Sequence, residues 1–504
     1  MSLDIAALKP AQPATLAFLA RADHPMLLGS DWVPARSGAW MDAINPATGE
    51  VLGRFPAGDA SDADRAVAAA REAFEGAAWR DMTPSQRGRI LWRVSELIEQ
   101  HIDELAELET LDQGKPLWVG RYAEIPGAAE QFRFFAGQAS RVEGQTIPTS
   151  INYQPPGKQV FAYTLKQPVG VVAAIVPWNS PLVLTAMKLA PALAAGCCVV
   201  LKPAEDTSLT ALRLGELLLE AGLPPGVVNI VTGRGDVVGA ALAAHPGVDK
   251  ISFTGSTPVG RAVLAAAGGN LKKVTLELGG KSPVIVMPDA DLDAAIAGAA
   301  NAIFFNTGQV CVAGSRLYVH RDVFDQVVQG VADVARSLKL GHGLDAATQI
   351  GPVVSRKQAE RVHRYVQDAI AAGAKAIVGG GRLGPHGTFI EPTVLVDVKP
   401  DMACVKEEIF GPVLVATPVD SLEEALALSN DSEYGLAASV WTRDLSTAHR
   451  VAARLKSGTV WINCHLMFDA SLPIGGVRQS GWGRESGQAA VDNFLELKTV
   501  CAVI

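Results

Sequence analysis

Three side chains of types suited to carbonyl chemistry stand at the ends of predicted elements. Cys311 follows Asn306-Thr307-Gly308-Gln309-Val310, a glycine-bounded turn after an apolar helical stretch. The turn leaves little room to bury a bulky side chain, so a thiol here can face a cleft as a nucleophile. Packing as a small apolar group is the competing role. Glu277 alternates with Leu276 and Leu278 at the end of TLELGGK, a strand predicted to be buried on both faces. A carboxylate in that place is either paired, with backbone amides or with Lys281, or left with a raised pKa. The second state suits a base that activates water near neutral pH. Asn179 ends the strand that runs into Pro177-Trp178-Asn179, where its amide can donate to a developing oxyanion.

A second group has the chemistry of dinucleotide binding. Residues 255–260, GSTPVG, follow the strand-like KISFT and open a helix through Arg261 and Val263. Strand, glycine turn and helix N-terminus make an anion site, although the full GxGxxG pattern is absent and a tight turn alone also explains the glycines. Lys202 and Glu205 follow the strand-like CCVVLK, where a ribose can receive an ammonium donor and a carboxylate acceptor. Isolated on a surface, the same two side chains would simply be solvated.

The elements that must position these residues are legible from Val169 onward. Short β-branched runs (VGVVAAIV, CCVVLK, GVVNIV, KISFTG, KVTLEL) alternate with helical segments such as SLTALRLGELLLEAG and GDVVGAALAAH. This β-α series predicts a parallel sheet covered on both faces, with ligands beyond the carboxyl ends of its strands. A second series starts near Ser282, with PVIVM as a strand and Leu292, Ala295, Ile296, Ala299 and Ile303 at helical spacing. The domain change is therefore placed close to Glu277. Earlier, Thr83-Pro84 opens a helix whose Ile90, Leu91, Val94, Leu97 and Ile98 share a face. Residues 1–25 read as a surface arm without a clear period. Residues 145–166 and the terminal LKTVCAVI read as projecting strands, and so apolar an edge predicts pairing with another subunit.

Composition sets the outer limits. A chain of 504 residues predicts two or three folding units, and 48% hydrophobic with 19% charged residues fits a compact enzyme. A net charge of −8 and the lack of a long basic run argue against nucleic acid as a partner. With no apolar stretch of membrane-spanning length and no secretory leader, the expected setting is the cytoplasm, away from membranes. Six cysteines without CxxC pairs or zinc-finger spacing read as reduced thiols, and no metal site is expected.

PWN, KPAE, FTGS, LELGGKSP, GQVCVAGSR, EEIFGPV, WIN and PIGGVRQSGWGRESG also stand in an order and spacing that resembles the NAD(P)+-dependent aldehyde dehydrogenase superfamily. The resemblance runs from about residue 25 to the C-terminus. It implies an α/β fold of two doubly wound parallel-sheet domains plus a small β oligomerisation element, assembled as a dimer or tetramer. Residues 26–144 and 167–276 would form the dinucleotide-binding domain, 277–487 the catalytic domain, and 145–166 with 488–504 the oligomerisation strands. Cys311 matches the family's nucleophile, Glu277 its general base, and Asn179 the side-chain half of an oxyanion hole completed by the Cys311 amide. Lys188 and Glu485 match a buried pair proposed to relay the base's proton. Trp178, Lys202, Glu205, Gly233, Ser256, Gly279, Glu408 and Phe410 match positions at the dinucleotide, with NAD+ expected over NADP+ because Glu205 would face a 2′-phosphate as a like charge. One departure is Arg478, where the family's tail usually carries lysine.

The resemblance also points to a substrate tunnel lined by Ser180, Val183, Met187, Val310, Val312, Leu466, Phe468 and Ile474, an apolar set. Met187 stands where succinic semialdehyde enzymes place an arginine, so an anionic substrate would lack its partner. A single Phe468 is too little for the aromatic cage of betaine aldehyde enzymes. NCHLMFDASLPIGG most resembles phenylacetaldehyde and arylaldehyde dehydrogenases, which implies a hydrophobic aldehyde, with aromatic ones among the candidates and medium-chain aliphatic aldehydes next. Two other readings are a CoA-acylating semialdehyde dehydrogenase, which would lack Glu277, and a non-catalytic protein of the same fold, which would not need Cys311, Glu277 and Asn179 together.

Overall fold

The computed structural model describes residues 8–150, 156–384 and 386–504. Five runs of the first series form parallel strands, Val171–Ile175, Cys198–Lys202, Val228–Ile230, Lys250–Thr254 and Lys273–Glu277. Every residue of the first four is buried, as a sheet covered on both faces requires. In space the order runs third, second, first, fourth, fifth. It reverses at Val171–Ile175, and strand ends beside such a reversal open a crevice. Met26–Leu28 and Asp31–Val33 extend one edge antiparallel, while Gly481–Trp482 returns from the far end of the chain to pair with Leu276 and Glu277 at the other.

Local signals explain the helices that flank this sheet. Pro84–Gln100 starts where Thr83 accepts from the Gln86 amide and the Gln86 side chain returns to the Thr83 amide, with proline at the first position. Its Leu91, Val94, Leu97 and Ile98 are buried, and Ile90 is half-buried at the margin of the same face. GDVVGAALAAH, expected as one helix, divides into a π-turn, Gly235–Gly239, and a short helix, Ala240–Ala244.

A second sheet follows, in which Pro283–Val286, Arg316–His320, Thr393–Val396, Val413–Val419, Ala437–Trp441 and Thr459–Ile462 run parallel and Lys375–Val378 adds an antiparallel edge. One continuous core extends from Phe18 to Leu278 and takes in Ala490, Val491, Phe494 and Leu495. The cores of the second sheet begin at Val284. Thus the change of core falls just after Glu277, but the last part of the chain goes back to the first body.

The third sheet joins Thr146–Ile147, Val160–Pro168 and Leu495–Val503. The terminal strand pairs antiparallel with its own chain, from Leu495 opposite Pro168 to Val503 opposite Val160, and its other side is the outer edge of the sheet. Residues 488–492, expected as strand, instead belong to the helix Gly487–Asp492. The N-terminal arm is also more ordered than its sequence implies. Pro13–Leu19 is a helix with Thr15 and Phe18 buried, and the Ala11 and Gln12 amides donate to Glu107. Seven residues are too few for a hydrophobic period to be visible. Among the described residues no helix is long and apolar enough to cross a membrane.

Candidate active site

The loop that carries Cys311 is built on costly backbone. Helix Leu292–Phe304 ends in three consecutive left-handed residues, Asn306, Thr307 and Gly308, with φ of 48°, 57° and 72°. Such geometry is disfavoured for non-glycine residues and persists only where its surroundings hold it. Here the Asn306 amide donates to the Asn179 carbonyl at 2.9 Å, Thr307 to the Gly351 carbonyl at 3.2 Å, and the Val354 amide to the Gln309 side chain at 2.9 Å. At Gly308 a Cβ would lie 2.2 Å from the Gly411 carbonyl, so both φ and space require glycine. The Asn179 side chain in turn donates to the Gln309 carbonyl at 3.0 Å, which ties the oxyanion candidate to the loop of Cys311. One hydrogen of that amide is left for a ligand.

Burial pushes the Cys311 thiol up to about 12, and the carboxylates of Glu408, Glu277 and Glu485 add to the effect. The environment therefore favours the protonated thiol. Glu277 is the last residue of its strand and 8% exposed. Its Oε1 has no hydrogen-bond partner among the described residues. Burial first, then Glu485, hold its pKa well above the ordinary carboxylate range, against the opposing pull of Lys188 and Arg484. Gly475, with φ of 159°, makes room: a Cβ there would lie 2.7 Å from Glu277 Oε1. The alternative partner, Lys281, is buried without a hydrogen bond for its own Nζ, and burial lowers its pKa to about 7. Lys188 and Glu485 form an ion pair in the interior, and Lys188 also donates to Ser252 Oγ at 3.2 Å.

The residues expected at the dinucleotide occupy the neighbouring strand ends. Lys202 donates to its neighbour's carbonyl and to Glu205 at 3.1 Å, and Glu205 also accepts from the Gly235 amide at 3.2 Å. Burial raises the Glu205 pKa, but Lys202 and the amides outweigh it and leave the group lowered and ionised. Ser256 is exposed and precedes helix Thr257–Ala267, whose first amides no side chain caps. The rings of Trp178 and Phe410 meet edge to face at 5.2 Å. Glu408 accepts from the Gly280 amide at 3.0 Å, and burial raises its pKa to about 7. At Gly279 a Cβ would fall 2.2 Å from Glu408 Oε2, so that carboxylate needs a glycine beside it. Gly233 has a structural reason of its own, since φ is 134° and a Cβ would meet the Gly58 carbonyl at 2.8 Å. A cavity of about 660 Å³ opens beside Glu205 and Asp206, and its lining includes neither Cys311 nor Glu277.

Of the expected tunnel residues, Val310, Leu466 and Ile474 pack with Cys311 in one apolar cluster that also holds Trp461, Leu436 and Cys464. Val183 and Met187 are half-buried, and Phe468 is exposed beside Trp461, ring centroids 5.8 Å apart. Val312 is fully buried at the centre of the same cluster, and the Ser180 hydroxyl donates to Glu124 at 2.8 Å. His465 was missed. Its Nε2 lies 2.9 Å from the Val312 carbonyl, which can only accept, so Nε2 carries the proton and Nδ1 accepts from Ser439 Oγ at 2.9 Å. It links the nucleophile loop to the loop after Trp461, and nothing in its local sequence signals that. Arg478 donates to the Asn430 and Ser432 carbonyls, contacts that settle the tail locally. All six cysteines are free, and no group of metal-ligating side chains is present among the described residues.

Two helix-flanked parallel sheets that bring Cys311, Glu277 and Asn179 together define an α/β enzyme fold. The chain belongs to the aldehyde dehydrogenase family, whose model matches residues 32–500. It is 49% identical to a phenylacetaldehyde dehydrogenase of Pseudomonas fluorescens over 95% of this chain and 96% of that one. Identity to the mitochondrial aldehyde dehydrogenase of Homo sapiens is 46%, over 95% of this chain and 91% of the other. The NAD+ complex of an aldehyde dehydrogenase from Bacillus cereus superposes with a TM-score of 0.95 at 46% identity, covering 99% and 100% of the two chains. The resemblance, the α/β fold and the enzyme class expected from the sequence are borne out.

Proposed function

We propose that this aldehyde dehydrogenase oxidises a hydrophobic, preferentially aromatic aldehyde to its acid with NAD+, through a thioester on Cys311. The observation that carries the substrate class is the apolar cluster packed on Cys311, with Trp461 and Phe468 at its margin. The name of the Pseudomonas relative points the same way.

The residues present fit a dinucleotide. Glu205 is ionised and held at a strand end, the Ser256 helix start offers uncapped amides, and Gly279 leaves space beside Glu408. Lys202 and Glu205 would hold the adenosine ribose, with Trp178, Glu408 and Phe410 toward the nicotinamide. When bound, the nicotinamide supplies a hydride acceptor. The chain does the rest. Cys311 attacks the carbonyl after losing its proton, while Asn179 and the Cys311 amide donate to the oxyanion. Collapse with loss of the former aldehyde hydrogen as hydride leaves a thioester. Glu277, whose Oε1 has no partner among the described residues, then takes a proton from the attacking water, and the Lys188–Glu485 pair stands behind it to carry charge away.

The Glu277 carboxylate favours hydrolysis over transfer to CoA. The test is acid formation from a panel of aryl and alkyl aldehydes with NAD+ and no CoA. Highest kcat/KM for small polar or anionic aldehydes would sink the substrate class, and a CoA requirement would sink hydrolysis. Homo-oligomer formation through the outer edge of Leu495–Val503 belongs to the same reading. Deleting residues 497–504 should give smaller or aggregated particles by light scattering, and an unchanged soluble mass would exclude that edge.

A further inference from the structure

Behind the turn that carries Asn179 lies a buried ion cluster unused by the chemistry above. Lys115 is fully buried between Glu109, 3.0 Å away, and Glu124. Glu109 is fully buried as well, and the Glu124 side chain is 8% exposed. Desolvating three charged groups costs several kcal/mol each, more than their mutual attraction commonly returns. Such a cluster is poor evidence for stability and better evidence for a geometric task.

Both carboxylates reach the same short segment. Glu124 Oε1 accepts from the Ser180 hydroxyl at 2.8 Å, and Glu109 Oε1 accepts from the Leu182 amide at 2.7 Å. Asn179 precedes Ser180. On its other side it is tied to the nucleophile loop by its carbonyl, through Asn306, and by its amide, through Gln309. Glu124 closes a π-turn, Gly120–Glu124, a rare geometry that re-aims a side chain and occurs often at functional sites. At Gly120 a Cβ would lie 3.3 Å from Ala106, so the turn is pressed against helix Ile102–Gln113, the helix that carries Glu109.

We infer that Glu109, Lys115 and Glu124 form a rigid mount that, through Ser180 and the Leu182 amide, sets the position of the Asn179 amide over the carbonyl oxygen. Glu124 and Ser180 are thus positioning residues for the oxyanion hole, and Ser180 is not a wall of the tunnel. The inference rests on the aldehyde-oxidising reading above. Burial raises the Glu124 pKa to about 7 against the pull of Lys115, while Glu109 adds to the rise.

The test compares wild type with Ser180→Ala, Glu124→Ala and Glu124→Gln, using phenylacetaldehyde and hexanal with NAD+. A donor displaced by a fraction of an ångström should cost about tenfold to a hundredfold in kcat. Ser180→Ala is expected to lose about tenfold. The loss should be equal for both aldehydes, with NAD+ affinity and melting temperature near wild type. Glu124→Gln keeps an oxygen for Ser180 and should retain more kcat than Glu124→Ala. A changed ratio between the aldehydes with kcat preserved would make Ser180 a tunnel wall and overturn the inference. So would unchanged kinetics in Ser180→Ala and Glu124→Gln, two substitutions small enough to fold if Glu124→Ala does not. Wild type inactive on both aldehydes would instead overturn the proposed function.

Discussion

Glu205 and Glu277 are the same residue type at the carboxyl end of the same sheet, and they are in opposite states. Glu205 faces a buried lysine and a backbone amide, and its side chain is 36% exposed. Those partners favour the charged form. Glu277 faces another carboxylate in the interior, and burial favours the neutral form. A partnered carboxylate is suited to hold a ligand and a frustrated one to take a proton. Position in the fold does not assign the role, whereas the neighbours do.

The comparison breaks first at the nucleophile. Cys311→Ala should lower turnover by at least about a thousandfold while NAD+ still binds, because the thiol serves chemistry and the Glu205 end serves binding. Fluorescence titration of the variant checks the second half, and retained turnover would remove the central assignment.

Glu277→Gln should cost about a hundredfold to ten-thousandfold in steady-state rate, since an amide cannot take the proton of water. One burst of NADH should appear, with acyl-enzyme visible by intact mass. Wild-type turnover in this variant would make Glu277 structural.

The pH dependence sharpens the contrast. The base works only when ionised, and its pKa is held well above the ordinary 4.5, so kcat should rise with pH through that raised value and fall away on the acid side of it. An acid limb near 4.5 would mean that Glu277 is no more frustrated than Glu205.

The smallest effect is expected at Glu205 itself. Wild type should prefer NAD+ to NADP+ by at least about tenfold in catalytic efficiency, ~1.4 kcal/mol. Glu205→Gln should narrow the gap chiefly by improving NADP+. An untouched ratio would show that Lys202 or the chain around it sets the preference.

Much of this arrangement could be read in advance because its causes are local. The Thr83-Pro84-Gln86 start, the five β-branched runs and the alternation around Glu277 act within a few residues of themselves. The helix in the N-terminal arm was hidden by its shortness. The pairing of Leu495–Val503 with Val160–Pro168 joins residues more than three hundred apart, which no periodicity reports. The Ser180 bond to Glu124 and the complete burial of Val312 join segments far apart in the chain, which the motifs that named both positions do not report.

From the sequence alone came the family, the candidate reacting side chains and their order, the β-α alternation and the place where one core gives way to the next. These follow from short-range sterics and hydrophobic period. Only the tertiary structure decided that burial raises the Cys311 thiol, that Glu277 Oε1 lacks a partner among the described residues while Glu205 has two, and that His465 spans two loops. Protonation and hydrogen-bond satisfaction are sums over desolvation and charge from segments far apart in the chain, and those sums exist only once the segments are packed together.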